Sequence, residues 1–156
     1  MDHNNAEDAW RAAESFRDLC ELTARFVEGD LPFSPIYGAE TVDEETTPLV
    51  PYLSALNWAG FLTTDSQPGE QSPEWQQRAT VDGYALEPTA KRIARISLYT
   101  DLHIVVAPPR TELGFHTPVI LRDFMPHGWG GFSDFDLEHF AEICSVPAMR
   151  ELEQAW

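Results

Sequence analysis

Apolar and polar positions along the chain open on a helical stripe. Trp10, Ala13, Phe16, Cys20, Ala24 and Val27 recur three or four residues apart, which predicts one amphipathic helix from Ala6 to Glu28. Gly29 follows the last periodic position and predicts its stop. Next comes "DLPFSPIYGAETVDEETT", whose prolines and glycine predict an irregular connection. Phe33, Ile36 and Tyr37 are too apolar for a free linker and predict that it folds back over the core or over a ligand. A second helix is predicted over "PLVPYLSALNWAG", with Thr47 as its cap and Pro48 in its first turn. Leu49, Tyr52, Leu53 and Leu56 form its expected buried face, and Gly60 its left-handed end.

Beyond Gly60 the periodicity shortens. "FLTT" predicts a strand that leaves the core through the loop "DSQPGE", with Pro68-Gly69 as a turn. "QRATVDGYALE" alternates as a second strand, in which Gly83 marks a close approach or a bulge. A third helix is predicted from Pro88 to Tyr99, with Ala90, Ile93 and Ile96 inward and Lys91, Arg92 and Arg95 in solvent. "LHIVVAP" reads as a central strand, "TPVILRDF" as another, and "SDFDLEHFAEIC" and "PAMRELEQAW" as closing helical pieces. The fold class this predicts is α/β: a single layered domain over residues 1–156, with a small mixed sheet flanked by helices.

Composition changes this picture in one respect. The 26 acidic and 10 basic residues give a net charge of -16, which repels nucleic-acid backbones and anionic membrane surfaces alike. Neither partner is expected. The acids are spread along the chain, which favours a solvated surface over a mimic of DNA. Cys20 and Cys144 form no CxxC pair and are expected as buried thiols, without a zinc site. The first residues, "MDHNNAEDAW", carry no basic region followed by an apolar run, and no apolar stretch is long enough to span a bilayer. A cytoplasmic location is the expectation.

Candidate chemistry gathers in Thr63, Thr64, Asp65, Ser66 and Gln67. Hydroxyls, amides and a carboxylate of this size orient small ligands through directed hydrogen bonds; the competing reading is that they satisfy backbone groups at a strand end. His103 and His116 fall near predicted strands and, with Asp65 or Asp82, would make an acid–base site or part of a metal site if the strands were neighbours; the competing reading is a hydrogen-bonded structural histidine. Trp129, in the glycine-rich "MPHGWGGF", would lie over a flat ring or plug the core edge. Glu70, Glu74 and Trp75 would form a lid by similar logic. No nucleophile elbow and no HExxH occurs, which argues against a familiar hydrolase, and no metal is expected.

"GFLTTDSQP", followed by "QRATVDGY", resembles a paired signature in the regulatory domain of eukaryotic methylenetetrahydrofolate reductase. Leu62, Thr63, Ser66, Gln67, Pro68, Gln77 and Ala79 match that family's pattern identically. Thr64 stands for an isoleucine and Asp65 for an asparagine, and Arg78 keeps only a basic side chain. The resemblance implies S-adenosylmethionine or S-adenosylhomocysteine as ligand, with Thr63 and Ser66 touching the nucleoside and Gln77 beside them. It implies nothing of the reductase activity, because this chain has no room for the flavin barrel. The chain also resembles small uncharacterised proteins of high-GC bacteria that share an N-x-x-G-F-x-T-T-x-S-Q-P-G core, here Asn57 to Gly69.

Three readings of function follow from the sequence. The first is a module that binds a nucleoside-like or amino-acid-like small molecule, as a sensor or as an accessory to a protein partner. The second is an enzyme acting on such a ligand through Asp65, His103 and His116. The third is an acidic inhibitor or immunity-type interaction protein.

Overall fold

A computed structural model describes residues 3–74, 76–102, 104–106, 109 and 144–155. Within it the apolar stripe from Trp10 to Val27 is buried at every predicted position. Two helices carry the stripe instead of one: α1 (His3–Arg11) and α2 (Phe16–Val27). Ser15 makes the break. Its hydroxyl accepts the Asp18 N–H, while the Asp18 carboxylate accepts the Ser15 and Glu14 N–H groups, each at 2.9 Å. This reciprocal cap satisfies the donors that a continuous helix would have used, so a new helix starts there. The Glu14 backbone bond, then the Ser15 hydroxyl, hold the Asp18 carboxyl below its ordinary range. Gly29 ends α2 with φ +83°, as predicted.

The connection after α2 folds back over the core. Ser34 and Ala39 close on each other in an antiparallel bridge, and the Ser34 hydroxyl accepts the Tyr37 N–H at 3.3 Å. Tyr37 thereby lands on Phe26, with ring centres 5.3 Å apart. The indole N–H of Trp10 donates to the Phe33 carbonyl at 3.0 Å, anchoring the same loop to α1.

The second predicted helix is a 3-10 turn, Glu44–Leu49, that runs into α3 (Val50–Trp58). Thr47 does not cap it. Pro48 lies inside the 3-10 segment, and Pro51 occupies the first turn of the α-helix instead. The buried face differs too: Leu53 is fully buried and Tyr52 is 68% exposed, while Asn57 takes the inward position. Packing of α3 against both α2 and the first strand turns this polar residue into the core. At the outer edge Glu28 accepts from the Ser54 hydroxyl and the Trp58 indole, and these bonds, Ser54 first, hold its carboxyl below the ordinary range. Gly60 has φ +88°, as its sequence position predicts.

Strand β1 (Phe61–Gln67) runs on through the residues predicted as an exit loop. It pairs antiparallel with β4 (Thr80–Ala85), from Phe61 opposite Ala85 to Gln67 opposite Thr80. A bulge leaves Thr64 without a partner between Thr63 and Asp65. Between these strands, β2 (Glu70–Gln71) and β3 (Gln76–Gln77) form a second small antiparallel pair. The described strands pair only antiparallel, so the fold is a mixed α/β arrangement of small open antiparallel pairs and flanking helices, in place of the expected mixed sheet.

Helix α4 (Glu87–Ile96) follows β4, with Ala90 buried and Lys91, Arg92 and Arg95 exposed. Ile96, expected inward, is exposed. The run predicted as a central strand is corrected as well. Leu102, Val105 and Val106 belong to no strand, and Val105 is 64% exposed. An unbroken apolar run has no period that distinguishes a strand from another apolar segment. The predicted elements at "TPVILRDF" and "SDFDLEHFAEIC" lie outside the described residues, apart from Cys144 at the end of the second.

Helix α5 (Val146–Leu152) closes on α2: Glu151 accepts the Phe16 N–H at 2.7 Å, and Cys144, Ala148 and Leu152 join the core. Cys20 and Cys144 are buried, and burial pushes both thiols up to about 12. They are structural thiols, protonated at neutral pH. No helix among the described residues is long and apolar enough to cross a membrane.

Candidate functional site

Three elements meet at the start of β1. Asn57, in the last turn of α3, is fully buried and faces Thr63, which is also fully buried. The Asn57 side-chain carbonyl accepts the Thr63 N–H at 3.1 Å. Its amide donates to the Thr63 hydroxyl at 2.7 Å and to the Leu53 carbonyl at 2.8 Å. Tyr37, brought in by the loop, shares a 2.8 Å hydrogen bond between its phenol and the same Thr63 hydroxyl. Helix, strand and loop are clasped around one side chain. Burial pushes the Tyr37 phenol above its ordinary range, against the lowering effect of the Thr63 bond.

The geometry accounts for much of the Asn57-to-Gly69 core motif. Gly60 gives the left-handed turn that returns the chain from α3 to β1, and Asn57 and Thr63 bind each other across it. Opposite Thr63 stands Gly83, where a Cβ would meet the Leu62 carbonyl oxygen at 2.1 Å. Sequence reading singled out Thr63 and Gly83 but met Asn57 only as the first residue of the shared core motif, because a polar residue within a helical stripe carries no sign of its buried partner.

Past the bulge lies a cavity of about 60 Å³ lined by Tyr37, Ala39, Thr41, Val42, Asp43, Thr46, Asp65 and Ser66. Asp65 is half-buried, and Ser66 is only 8% exposed. The Ser66 hydroxyl oxygen is buried and has no hydrogen-bond partner among the described residues, an uncommon state for a native side chain. Asp43 also lies beside a shallow, open stretch of surface with Glu44 and Glu45.

Asp65 stands directly opposite Asp82 across the strand pair. Like charges in that position repel. Burial first, and Asp65 second, push the Asp82 carboxyl above its ordinary range. A raised acid stores a proton that the unfolded chain releases, so stability falls as pH rises through and above the ordinary carboxylate range. Asp82→Asn should therefore raise the melting temperature at neutral pH, with the gain shrinking toward acid pH. Because Asp82 is exposed as a residue, solvent keeps the effect small. Thermal melts at several pH values check it; equal gains at all of them would remove the charge explanation.

The remaining candidates distribute as follows. Thr64 is the half-buried bulge residue, and Gln67 ends β1. The Gln77 amide donates to the Pro68 carbonyl at 3.4 Å, a turn contact away from the cavity lining. Trp129, His103 and His116 lie outside the described residues, so the acid–base pairing of the histidines with Asp65 has no geometry to assess. Among the described residues no group of three or more His, Cys, Asp or Glu side chains is arranged to hold a metal ion.

The S-adenosylmethionine assignment and the regulatory-domain identity drawn from the resemblance are corrected here. Thr63, the first proposed nucleoside contact, spends its hydroxyl inside the clasp. The cavity at Ser66 holds about 60 Å³, against the roughly 300–1,000 Å³ of sites that enclose ligands of drug size. A shared Thr-x-x-Ser-Gln-Pro string thus serves a fold contact at Thr63.

No curated protein matches the chain. The model of a family described as a domain of unknown function (DUF6919) matches residues 5–156, and the chain belongs to that family.

Proposed function

We propose that this domain binds a compact, amino-acid-like small molecule by its ammonium group, in the cavity between the 37–46 loop and β1. The observation that carries this reading is the small cavity lined by Asp43 and Asp65 together with Thr41, Thr46 and Ser66. Asp43 and Asp65 bring carboxylates, and Thr41 and Thr46 hydroxyls, to the residues that line it, groups of the kind that accept from an ammonium. Neither carboxylate has a cationic partner among the described residues, so the charge there is uncompensated. The volume admits a head group the size of one or two waters. A nucleoside would not enter.

The test is a titration of the folded protein with methylammonium and with acetate, followed by amide chemical shifts. Methylammonium should shift residues 37–46 and 61–67 with a Kd of about 10 mM, the ceiling for so small a ligand; acetate should not. Asp65→Asn should abolish the response. Ser66→Ala should raise stability by about 1 kcal/mol, because it deletes a buried hydroxyl without a partner among the described residues. An unchanged spectrum with methylammonium, or an Asp65→Asn variant that keeps the full response, would refute the reading.

A further inference from the structure

We infer that the outer face of α3 docks a basic amphipathic helix of a protein partner, with an arginine or lysine of that helix seated between Glu28 and Trp58. Helix α3 (Val50–Trp58) carries no charged residue, in a chain whose net charge is -16. Its small polar side chains are spent inside the protein, Asn57 on Thr63 and Ser54 on Glu28. Outward it turns Pro51, Tyr52, Ala55, Trp58 and the capping Ala59, all exposed, with Tyr52 at 68% and Trp58 at 43%. The solvent faces of α1, α2 and α4 are laced by Arg11–Glu7, Arg17–Glu21 and Lys91–Glu87 pairs; α3 has nothing of the kind. A helix that is apolar all round is ordinarily covered all round. Tyr52, Ala55 and Ala59 fall three and four residues apart and share one stripe, and its two alanines let a facing helix come close.

Charge decides the occupant. At the rim of this face Glu28 accepts from both the Ser54 hydroxyl and the Trp58 indole N–H, the latter at 2.8 Å, and it does so through one oxygen, Oε1. Glu28 is exposed and in no ion pair among the described residues, none of which binds its second oxygen. Trp58 is thereby fixed as an aromatic surface beside a carboxylate with an open acceptor. A guanidinium or ammonium laid over the indole meets both. A second copy of this chain would set like charge against like. Residues 110–143 of the chain itself complement the face no better, because acids outnumber Arg110 and Arg122 there. A cationic partner with one apolar stripe matches face and rim together, and the field of the whole domain steers it in.

The experiment titrates the folded protein with two synthetic peptides of identical leucine, alanine and lysine composition, one patterned as an amphipathic helix and one scrambled. The Trp58 indole N–H, assigned with Trp58→Phe, and the amides of 50–60 are followed by NMR. The patterned peptide should shift them and bind about tenfold more tightly than the scrambled one, the worth of burying about one large apolar side chain. Glu28→Gln keeps an acceptor for Trp58 and removes the charge, so it should cost about fivefold at low salt and little at high salt. Ala55→Lys, at an exposed position and checked for folding by circular dichroism, should abolish the preference for the patterned peptide. Equal binding of the two peptides would overturn the inference, since net charge alone would then explain the attraction. An Ala55→Lys variant that keeps the preference would overturn the placement on α3. A dimer in sedimentation of the free protein, dissolved by Ala55→Lys, would overturn it in favour of a second copy. A Trp58 indole that responds neither to the peptides nor to a soluble paramagnetic agent would overturn it in favour of cover by the chain's own residues. Each of these outcomes leaves the methylammonium titration untouched, so the two readings fail separately.

Discussion

Asn57→Ala is expected to lower the stability of the domain by about 3 kcal/mol, the sum of a lost hydrogen-bond set and a buried Thr63 N–H left without a partner. For a chain of 156 residues this corresponds to a fall in melting temperature of roughly 6–12 °C. The effect is large because Asn57 and Thr63 are both sealed from water, so solvent cannot replace the missing carboxamide. Asn57→Asp should do little better. It keeps an acceptor for the Thr63 N–H but sets a carboxylate against the Leu53 carbonyl that the amide formerly bound. Thermal unfolding followed by circular dichroism is the measurement. Because both residues belong to one network, Asn57→Ala and Thr63→Val together should cost less than the sum of the two. Additive losses, or a fall of less than about 2 °C for Asn57→Ala, would mean that the clasp does not hold the strand to the helix.

Gly83→Ala should cost about 3 kcal/mol or more. A methyl there would sit 2.1 Å from the Leu62 carbonyl oxygen and 2.9 Å from its carbon, inside the distance any pair of atoms accepts. The obstruction is backbone, so no side-chain rotation relieves it. Nor is β1 free to move away: Leu62 is fully buried in the core, and its neighbour Thr63 is fixed by Asn57 and Tyr37. The variant must separate β1 from β4 or lose the pairing near Thr63. Hydrogen exchange should show faster exchange at the amides of 61–67 and 80–85 while α1 and α2 keep most of their protection. Wild-type exchange in both strands would show that the chain absorbs the methyl elsewhere.

These two positions divide the information between sequence and tertiary structure. The apolar stripe through Trp10, Phe16 and Val27 was legible because helical period and burial are the same signal, read along the chain. Gly29 and Gly60 were legible because each follows the last periodic residue of a helix, where a left-handed end needs no side chain. Gly83 was legible as a close approach, although not what approached it. The break before α2 was also written locally, in Ser15 and Asp18, but a continuous stripe concealed it.

What the chain alone could not decide was direction. A threonine, an aspartate and a serine within four positions look alike as ligand contacts; the bulge at Thr64 and the turn of α3 sent them to different fates. Thr63 went into the core to be bound by a residue six positions back and another 26 back. Ser66 went to the wall of a small cavity with its hydroxyl buried and without a partner among the described residues, beside Asp65, which faces another carboxylate. Periodicity reports which positions are buried, because burial follows a helix or strand face. It cannot report which buried polar groups will find one another, since hydrogen bonds between distant segments exist only once the segments are packed.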